Sequence, residues 1–454
     1  MKHIPAFFLV LAVVVIFASC GVRESPQSVH ASQTVQASQT EVETAAVTAE
    51  TTAEGTTAVS VKTGWNFDGE TGTLSLYEQR FLEKPPYSGD PREVLTLELD
   101  GSVTDVSPME YSDSPAYYPN LKTLILGDSV RKLGGAALEG CAHLERIVIG
   151  SGLREIEENA FFGTYLDVSE GCAGCVDLRT LEVSDRNPFF TARDNVLYNK
   201  DCTELVQYPL GIQKTVFVIP DSVRTVRWFA FTANQTIEKL TVGKGIKAIE
   251  FGLINCRALK ELVLPETLES IGDSTIKFCG LRSVRIPDSV TYLGMEAFRN
   301  CDDLEELHIG KGLDMTDSDF MCNSPKLAKV TVDEGNKTLC MVDGVVFSKD
   351  RKTLLLYPGG YTQKEYRIPD GTEIIEYYAF HAAGHLKKVF VPASVTQIAP
   401  HNFSVSPDVE AGYDTYTYPY EVWYGGTAAQ WNAVAQTMEG ADGLTVHCNA
   451  NAIR

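Results

Sequence analysis

Apolar and polar positions along this chain fall into short runs that keep recurring. From Leu281 it reads LRSVRIPDSVTYLGMEAFRNCDD, with apolar positions at Leu281, Val284, Ile286, Val290, Leu293, Ala297 and Phe298. Aligned on the leading aliphatic residue, the unit restarts at Leu121, Leu144, Leu178, Ile237, Leu259, Leu281, Leu304, Leu327 and Leu386. Short steps are 22 or 23 residues, a period that marks a repeat architecture. Val284 and Ile286 alternate with polar neighbours, which predicts a strand with both side chains inward. Pro287-Asp288-Ser289 ends it, because proline fixes φ and removes a donor. Val290 and Leu293 return along the far side, and Ala297-Phe298 predicts one short helical turn. A single unit cannot bury its apolar edge, so units must stack and share a core.

Two steps, Leu178 to Ile237 and Leu327 to Leu386, are 59 residues long and match one another at an offset of 149. Asn187 pairs with Asn336, Asp194 with Asp343, Leu205 with Leu354, and Tyr208-Pro209 with Tyr357-Pro358. Within the first, Asn195-Val-Leu-Tyr198 and Glu204-Leu-Val-Gln-Tyr208 flank Asn199-Lys200-Asp201, which predicts an inserted hairpin, duplicated with its repeats. After the hairpins stand Trp228-Phe229 and Tyr377-Tyr378, where short units carry Asp273-Ser274 or Met295-Glu296. These aromatics either cover the hairpin root or form a ligand-stacking patch. The unit at Leu144 has a smaller insertion, residues 163–174, and the unit at Leu304 is degenerate, with Phe320-Met321 in the Ala-Phe place.

The flanks differ from the repeats. Residues 1–20, MKHIPAFFLVLAVVVIFASC, place Lys2 before an apolar run too short for a comfortable membrane span, which fits a signal peptide. Ala18-Ser19 directly before Cys20 resembles a bacterial lipoprotein cleavage site, which makes Cys20 the lipidated residue. Residues 21–63 are rich in Ser, Thr, Gln, Ala and Glu and cannot bury enough surface to offset chain entropy, so a disordered tether is expected. As a coil it reaches roughly 35 Å. Residues 64–120 are expected to form an N-terminal β cap, 121–405 the repeat body, and 406–454 a C-terminal cap. Within that last stretch Val422-Trp423-Tyr424 predicts a strand, Thr427 to Gln436 a helix opened by a capping box, and Leu444 to Cys448 a closing strand.

The I-P-D-S-V and A-F-x-x-C signatures, the Tyr-Pro hairpins and the closing WYGGTAAQW with its L-x-V-H end resemble the BspA-type leucine-rich repeats of bacterial surface proteins. The resemblance covers residues from about 120 to 454. It implies an α/β solenoid of about nine coils, a parallel sheet with short helical turns, two hairpin insertions and a cap at each end. It further implies display outside the cell and a role in binding and adhesion, with no catalytic residues and no particular ligand; the lipidated Cys20 is what is expected to anchor the protein to the cell membrane, and no cofactor is expected.

Composition adds exclusions. A net charge of −21 over 454 residues argues against nucleic acid and against docking on anionic lipid, leaving the lipid anchor as the membrane contact. Cys141, Cys175, Cys256, Cys279 and Cys301 share one slot of the repeat and are expected as buried free thiols. Cys172-Ala-Gly-Cys175 has no second pair, and His381-x-x-x-His385 lacks the Glu of a zinc protease, so no metal site is expected and both histidines are expected as solvated turn residues. The second position of successive units alternates in sign (Lys122, Glu145, Arg179, Glu238, Lys260), a row that stabilises the sheet. The fifth position is more individual. Ile125, Val148, Val263, Arg285, His308 and Phe390 are the candidate binding face. The expected occupant is an extracellular, host or neighbouring-cell protein; a glycan stacked on Trp228, Phe229, Tyr377 and Tyr378 is the competing reading.

Overall fold

The inward positions of the repeat stack as parallel strands in the computed structural model, which describes residues 64–78, 90–106, 118–162, 174–314, 324–403, 421–436, 438 and 444–449. Cys20 and the residues before Gly64 lie outside the described residues. The front face carries three parallel runs. The first comprises Thr73–Leu76, Thr96–Leu99, Thr123–Leu126, Arg146–Ile149 and Thr180–Val183, with Trp65–Asp68 antiparallel at its edge. The second comprises Val216–Val218, Lys239–Thr241, Glu261–Val263, Ser283–Ile286, Glu306–Ile309 and Lys329–Val332. Glu365–Arg367, Lys388–Val391, Glu421–Tyr424 and Thr445–Cys448 make the third. Register keeps the Val284 position in line: Leu97 faces Leu124, Leu124 faces Ile147, and Val284 faces Leu307. Two-residue strands such as Lys132–Leu133 and Tyr292–Leu293 form the narrower back of the coils.

The class is the expected solenoid, but it holds about fourteen coils where nine were expected. Counting by a leading aliphatic residue misses coils in which that slot is filled otherwise. Lys214 and Gln363 stand there in the coils of Val216–Val218 and Glu365–Arg367, and each 59-residue step therefore contains an extra coil. Their interiors are filled instead by buried Tyr208 against Phe217 (4.7 Å between ring centroids) and Tyr357 against Tyr366 (4.9 Å). Front-strand pairing also runs through Thr73–Leu76 and Thr96–Leu99, and through Glu421–Tyr424 and Thr445–Cys448, outside the span where the units were counted.

The Ala-Phe segment closes each coil by hydrogen-bonded turns. Ala297 N donates to Gly294 O and Arg299 N to Glu296 O, while positive φ at Glu296 (53°) and Asn300 (55°) prevents a helix from propagating. Ala297 and Phe298 are nonetheless fully buried, as the repeat requires. The sole α-helix among the described residues, Ala428–Ala435, starts at the expected capping box: Thr427 Oγ1 accepts from Gln430 N, and Gln430 Oε1 accepts from Thr427 N at 2.8 Å. At the strand ends, Asp288 Oδ1 accepts from Lys311 N and Asp221 Oδ1 from Lys244 N, both 23 residues on. Where the Asp stands, as at 221 and 288, it ties one turn to the next, while Glu266 and Ala393 hold that place in other coils. Gly310 stacks directly on Pro287, where a Cβ would stand 2.6 Å from its carbonyl carbon.

Each hairpin gains a third strand. Phe190–Arg193 precedes Val196–Asn199 through a two-residue turn with φ 52° at Asp194 and 67° at Asn195, the left-handed pair that a tight hairpin turn needs. Glu204–Gln207 then pairs in parallel with Thr225–Val226, so the meander joins the back of the solenoid. Leu339–Val342, Val345–Ser348 and Thr353–Leu356 repeat this and join Ile374–Ile375. The second and third strands of each meander are buried on both faces. Leu197 and Val206 face the core of the first run, whereas Val196, Tyr198 and Leu205 face the core of the second. In the copy, Val346 and Leu355 face the second core, and Val345, Phe347 and Leu354 face the third.

Four of the five slot cysteines, Cys175, Cys256, Cys279 and Cys301, are buried as expected, whereas Cys141 is half-buried. Cys256 Sγ donates to Phe231 O at 3.2 Å, Cys279 Sγ to Leu253 O at 2.9 Å and Cys301 Sγ to Ile276 O at 3.6 Å, each reaching back one coil. Those three and Cys175 are free, and burial pushes the Cys301 thiol up to about 12, far from thiolate reactivity.

Candidate interaction face

Alternation along each front strand turns the third and fifth positions of the unit outward. The third and second positions pair off their charge across coils. Lys122–Glu145 (3.1 Å), Lys260–Glu238 (2.9 Å), Lys239–Glu261 (2.7 Å) and Lys329–Glu306 (3.1 Å) are exposed ion pairs, each worth well under about 1 kcal/mol but together neutralising the row. The fifth position is where these pairs thin out. Arg285 is exposed beside His308 and, among the described residues, has no carboxylate within ion-pair distance. His308 Nδ1 lies 3.0 Å from Thr331 Oγ1, and its pKa is lowered by partial burial first and by the Arg285 charge second.

The six candidate residues do not form one strip. Ile125 and Val148 are half-buried neighbours in the first run, facing Glu98 and Glu182 on either side. Val263, Arg285 and His308 belong to the second run, and Phe390 to the third. Phe390 instead starts a stacked ladder. The Arg367 guanidinium lies 4.3 Å over its ring, Trp423 lies 6.1 Å away, and His447 stacks on Trp423 at 4.3 Å. Reading the unit only by its leading aliphatic hid Arg367 and Val218, and placing Trp423 and His447 in a cap removed them from the row. Their signal was the same inward–outward alternation. Val216 and Val218 stand outward at the start of the second run and are 54% and 56% exposed.

The candidate aromatic patch is divided between two places. Trp228 and Phe229 are half-buried and reach back to the unit at Leu144: Trp228 N donates to Glu158 Oε1, and Phe229 stacks on Phe162 at 5.6 Å. Tyr378 is half-buried and stacked on His401 at 4.8 Å, while Tyr377 is 45% exposed. The rings at the hairpin roots are Tyr208 and Tyr357, stacked on Phe231 and Phe380 at 5.4 and 5.2 Å. His385 is exposed, but His381 is not the solvated residue expected. It is buried, edge-on to Tyr378 at 5.1 Å, and burial holds its pKa down at about 4. No group of three or more metal-ligating side chains occurs among the described residues.

A stack of parallel coils with a self-neutralised sheet surface and individual outward side chains defines a leucine-rich repeat solenoid, a scaffold for protein contact. Six copies of a repeat described as "BspA type Leucine rich repeat region" match residues 111–170, 212–305, 253–342 and 360–410, more than half of the chain. The chain belongs to the BspA-type leucine-rich repeat family. Such proteins are typically surface-exposed and generally serve as non-enzymatic interaction scaffolds. Similar solved structures include the pneumococcal vaccine antigen PcpA (14% identity, 78% of this chain and 74% of that one, TM-score 0.40). Others are a leucine-rich cell surface protein of Faecalibacterium prausnitzii (16%, 83% and 96%, 0.35) and a leucine-rich repeat protein of Bacteroides ovatus (16%, 85% and 97%, 0.35). No curated protein matches the chain. Family membership follows from the repeats alone. Among the described residues no helix is long and apolar enough to cross a membrane.

Proposed function

We propose that this is a bacterial surface adhesion protein, anchored through a lipid on Cys20, that holds an extracellular, host or neighbouring-cell protein against its front face without chemistry. One observation carries the reading. The lysines around Arg285 are each engaged by a carboxylate, Lys260 with Glu238, Lys311 with Asp288 and Lys329 with Glu306, whereas Arg285 has no such pair among the described residues. An exposed guanidinium flanked by Val263 and His308 on a flat sheet suits a planar, bidentate contact with a partner carboxylate beside apolar surface.

Affinity capture from host and neighbouring-cell surfaces, with the full chain and its Arg285→Glu and Val263→Asp variants, tests it. The expected outcome is a saturable protein ligand that both variants lose by tenfold or more. Undiminished capture by both variants overturns the assignment of this face. Capture of a glycan instead, lost in Tyr377→Ala or Trp228→Ala, replaces it with the competing reading, which Tyr377's exposure favours.

A further inference from the structure

The front sheet is interrupted twice, once at each hairpin. Among the described residues Thr180–Val183 pairs only with the strand before it, and Val216–Val218 only with the strand after it, so two strand edges go unpaired there. Lys329–Val332 and Glu365–Arg367 repeat the break 149 residues on. The cause is the three-strand insertion, which lengthens the coil's back while the front is tied only at its start, by Gly211 N to Leu178 O and by Gly360 N to Leu327 O. Inward-facing residues record the opening. Val183 and Phe217 at the first break, and Val332 and Tyr366 at the second, are half-exposed, whereas their counterparts Ile149, Leu240, Ile309 and Val389 are buried.

The backbone at the first break is specific about what it lacks. Lys239 N donates to Thr215 O and Ile219 N donates to Thr241 O, so alternate residues Thr215, Phe217 and Ile219 turn their backbone groups toward the following strand. The N–H and C=O of Val216 and Val218 therefore point to the open side.

The two copies of this edge differ in the way that protected and receptive edges differ. At the second break the outward residues are Glu365 and Arg367. Glu365 pairs with Lys388 at 3.4 Å and Arg367 lies over Phe390, which covers the edge with charge engaged to the next coil. Natural sheets blunt unpaired edges in this manner. At the first break the same positions are Val216 and Val218, both more than half exposed. Duplication made two equivalent edges, and only the second carries the protection.

We propose that the edge of Val216–Val218 receives an extended segment of a partner protein as an added β-strand, one that is uncharged where it pairs and carries aliphatic side chains at alternate positions. Backbone pairing to Val216 and Val218 supplies affinity, and the two exposed valines select β-branched or aliphatic cross-strand neighbours over charged ones. This deepens the protein-binding reading above and rests on it.

The probe is a labelled synthetic peptide, acetyl-Lys-Thr-Val-Thr-Val-Thr-Val-Lys-amide, titrated into the full chain and followed by fluorescence anisotropy and amide hydrogen exchange. Saturable binding is expected, with the Val216 and Val218 amides at least tenfold more protected. Val216→Lys with Val218→Lys should weaken it at least tenfold, and so should Val218→Pro, whose lost N–H has no partner among the described residues. Glu365→Val with Arg367→Val should create a second binding site. Binding unchanged in the double lysine variant, or protection at Trp65–Asp68 or Thr445–Cys448 in its place, overturns the proposal. So does dimerisation of the chain that the lysine variant abolishes, since the occupant is then a second copy. Arg285→Glu separates the two readings. Partner capture that depends on Arg285 while the peptide fails to bind keeps the proposed function and removes this site.

Discussion

His381 shows how a single side chain escapes a sequence reading. Its spacing from His385 invites comparison with metal ligands, and its place after Ala379-Phe380 suggests a solvated turn. The fold instead closes over it. Tyr378 lies edge-on to it and stacks on His401, and His401 and Arg299, the latter from another coil, act on it electrostatically. Desolvation, then the two neighbouring cationic groups, disfavour the imidazolium and hold its pKa at about 4 against an ordinary 6.5. The unfolded chain therefore takes up the proton first as pH falls. Stability contributed by neutral His381 is complete above pH 6.5, is lost progressively down to about 4, and levels off below. The loss amounts to about 3 kcal/mol for a shift of this size. Urea midpoints of the full chain between pH 7 and 4 should fall with that slope, and His381→Gln should flatten it. An unchanged slope would place the titration elsewhere; aspartates such as Asp128, held below the ordinary 3.8 by the Ser151 N–H, lose their contribution only below about pH 4 and do not supply it. The slot cysteines, four of the five buried, were legible because they share one place in the repeat; His381 was not, because its burial depends on Tyr378 and His401, which meet only in the fold.

The hairpins make the same point for whole elements. Their presence, duplication and strand positions were legible, since period-2 runs and a 149-residue offset are properties of sequence. Their office was not. A strand buried on both faces reads as an ordinary apolar run, and nothing local says that its two faces belong to different cores. Asn187 and Asn336 open each insertion in the same way. Asn336 Nδ2 donates to Gly310 O at 2.9 Å and Leu313 O at 3.0 Å, while its Oδ1 accepts from Thr338 N and Leu339 N. Asn187 makes the equivalent four bonds, to Gly150 O, Leu153 O, Phe189 N and Phe190 N. One buried amide thus satisfies the coil that ends and the meander that begins. Asn336→Ala removes the partner of Gly310 O, Thr338 N and Leu339 N, while Leu313 O keeps the Thr338 hydroxyl at 3.1 Å, and should cost about 2–4 kcal/mol. Hydrogen exchange in Leu339–Val342 and Val345–Ser348 should accelerate more than in the first meander. Equal acceleration in both would mean that the clip is not local.

At the scale of the whole repeat body, the two breaks and the two meanders oppose one another. Front-strand pairing, which couples neighbours in a solenoid, is absent where Thr180–Val183 gives way to Val216–Val218 and where Lys329–Val332 gives way to Glu365–Arg367. The meanders restore part of that coupling through side chains, Leu197 on one side and Val196 on the other. Side-chain contact across a septum transmits less than a continuous ladder, so the three core segments should open with partial independence. Phe298, fully buried in the middle segment, is the residue to test this with. Phe298→Ala removes about 3–5 kcal/mol of packing. Native-state exchange should then rise steeply across Lys239–Thr241 and Glu306–Ile309, which share its core, and stay near the wild-type rate in Thr123–Leu126. A uniform rise along all three runs would show that the meanders couple the cores as tightly as an unbroken sheet. If the segments do open separately, the edge at Val216–Val218 borders two units that move apart at low cost, and strand addition there would bind best when it rejoins them.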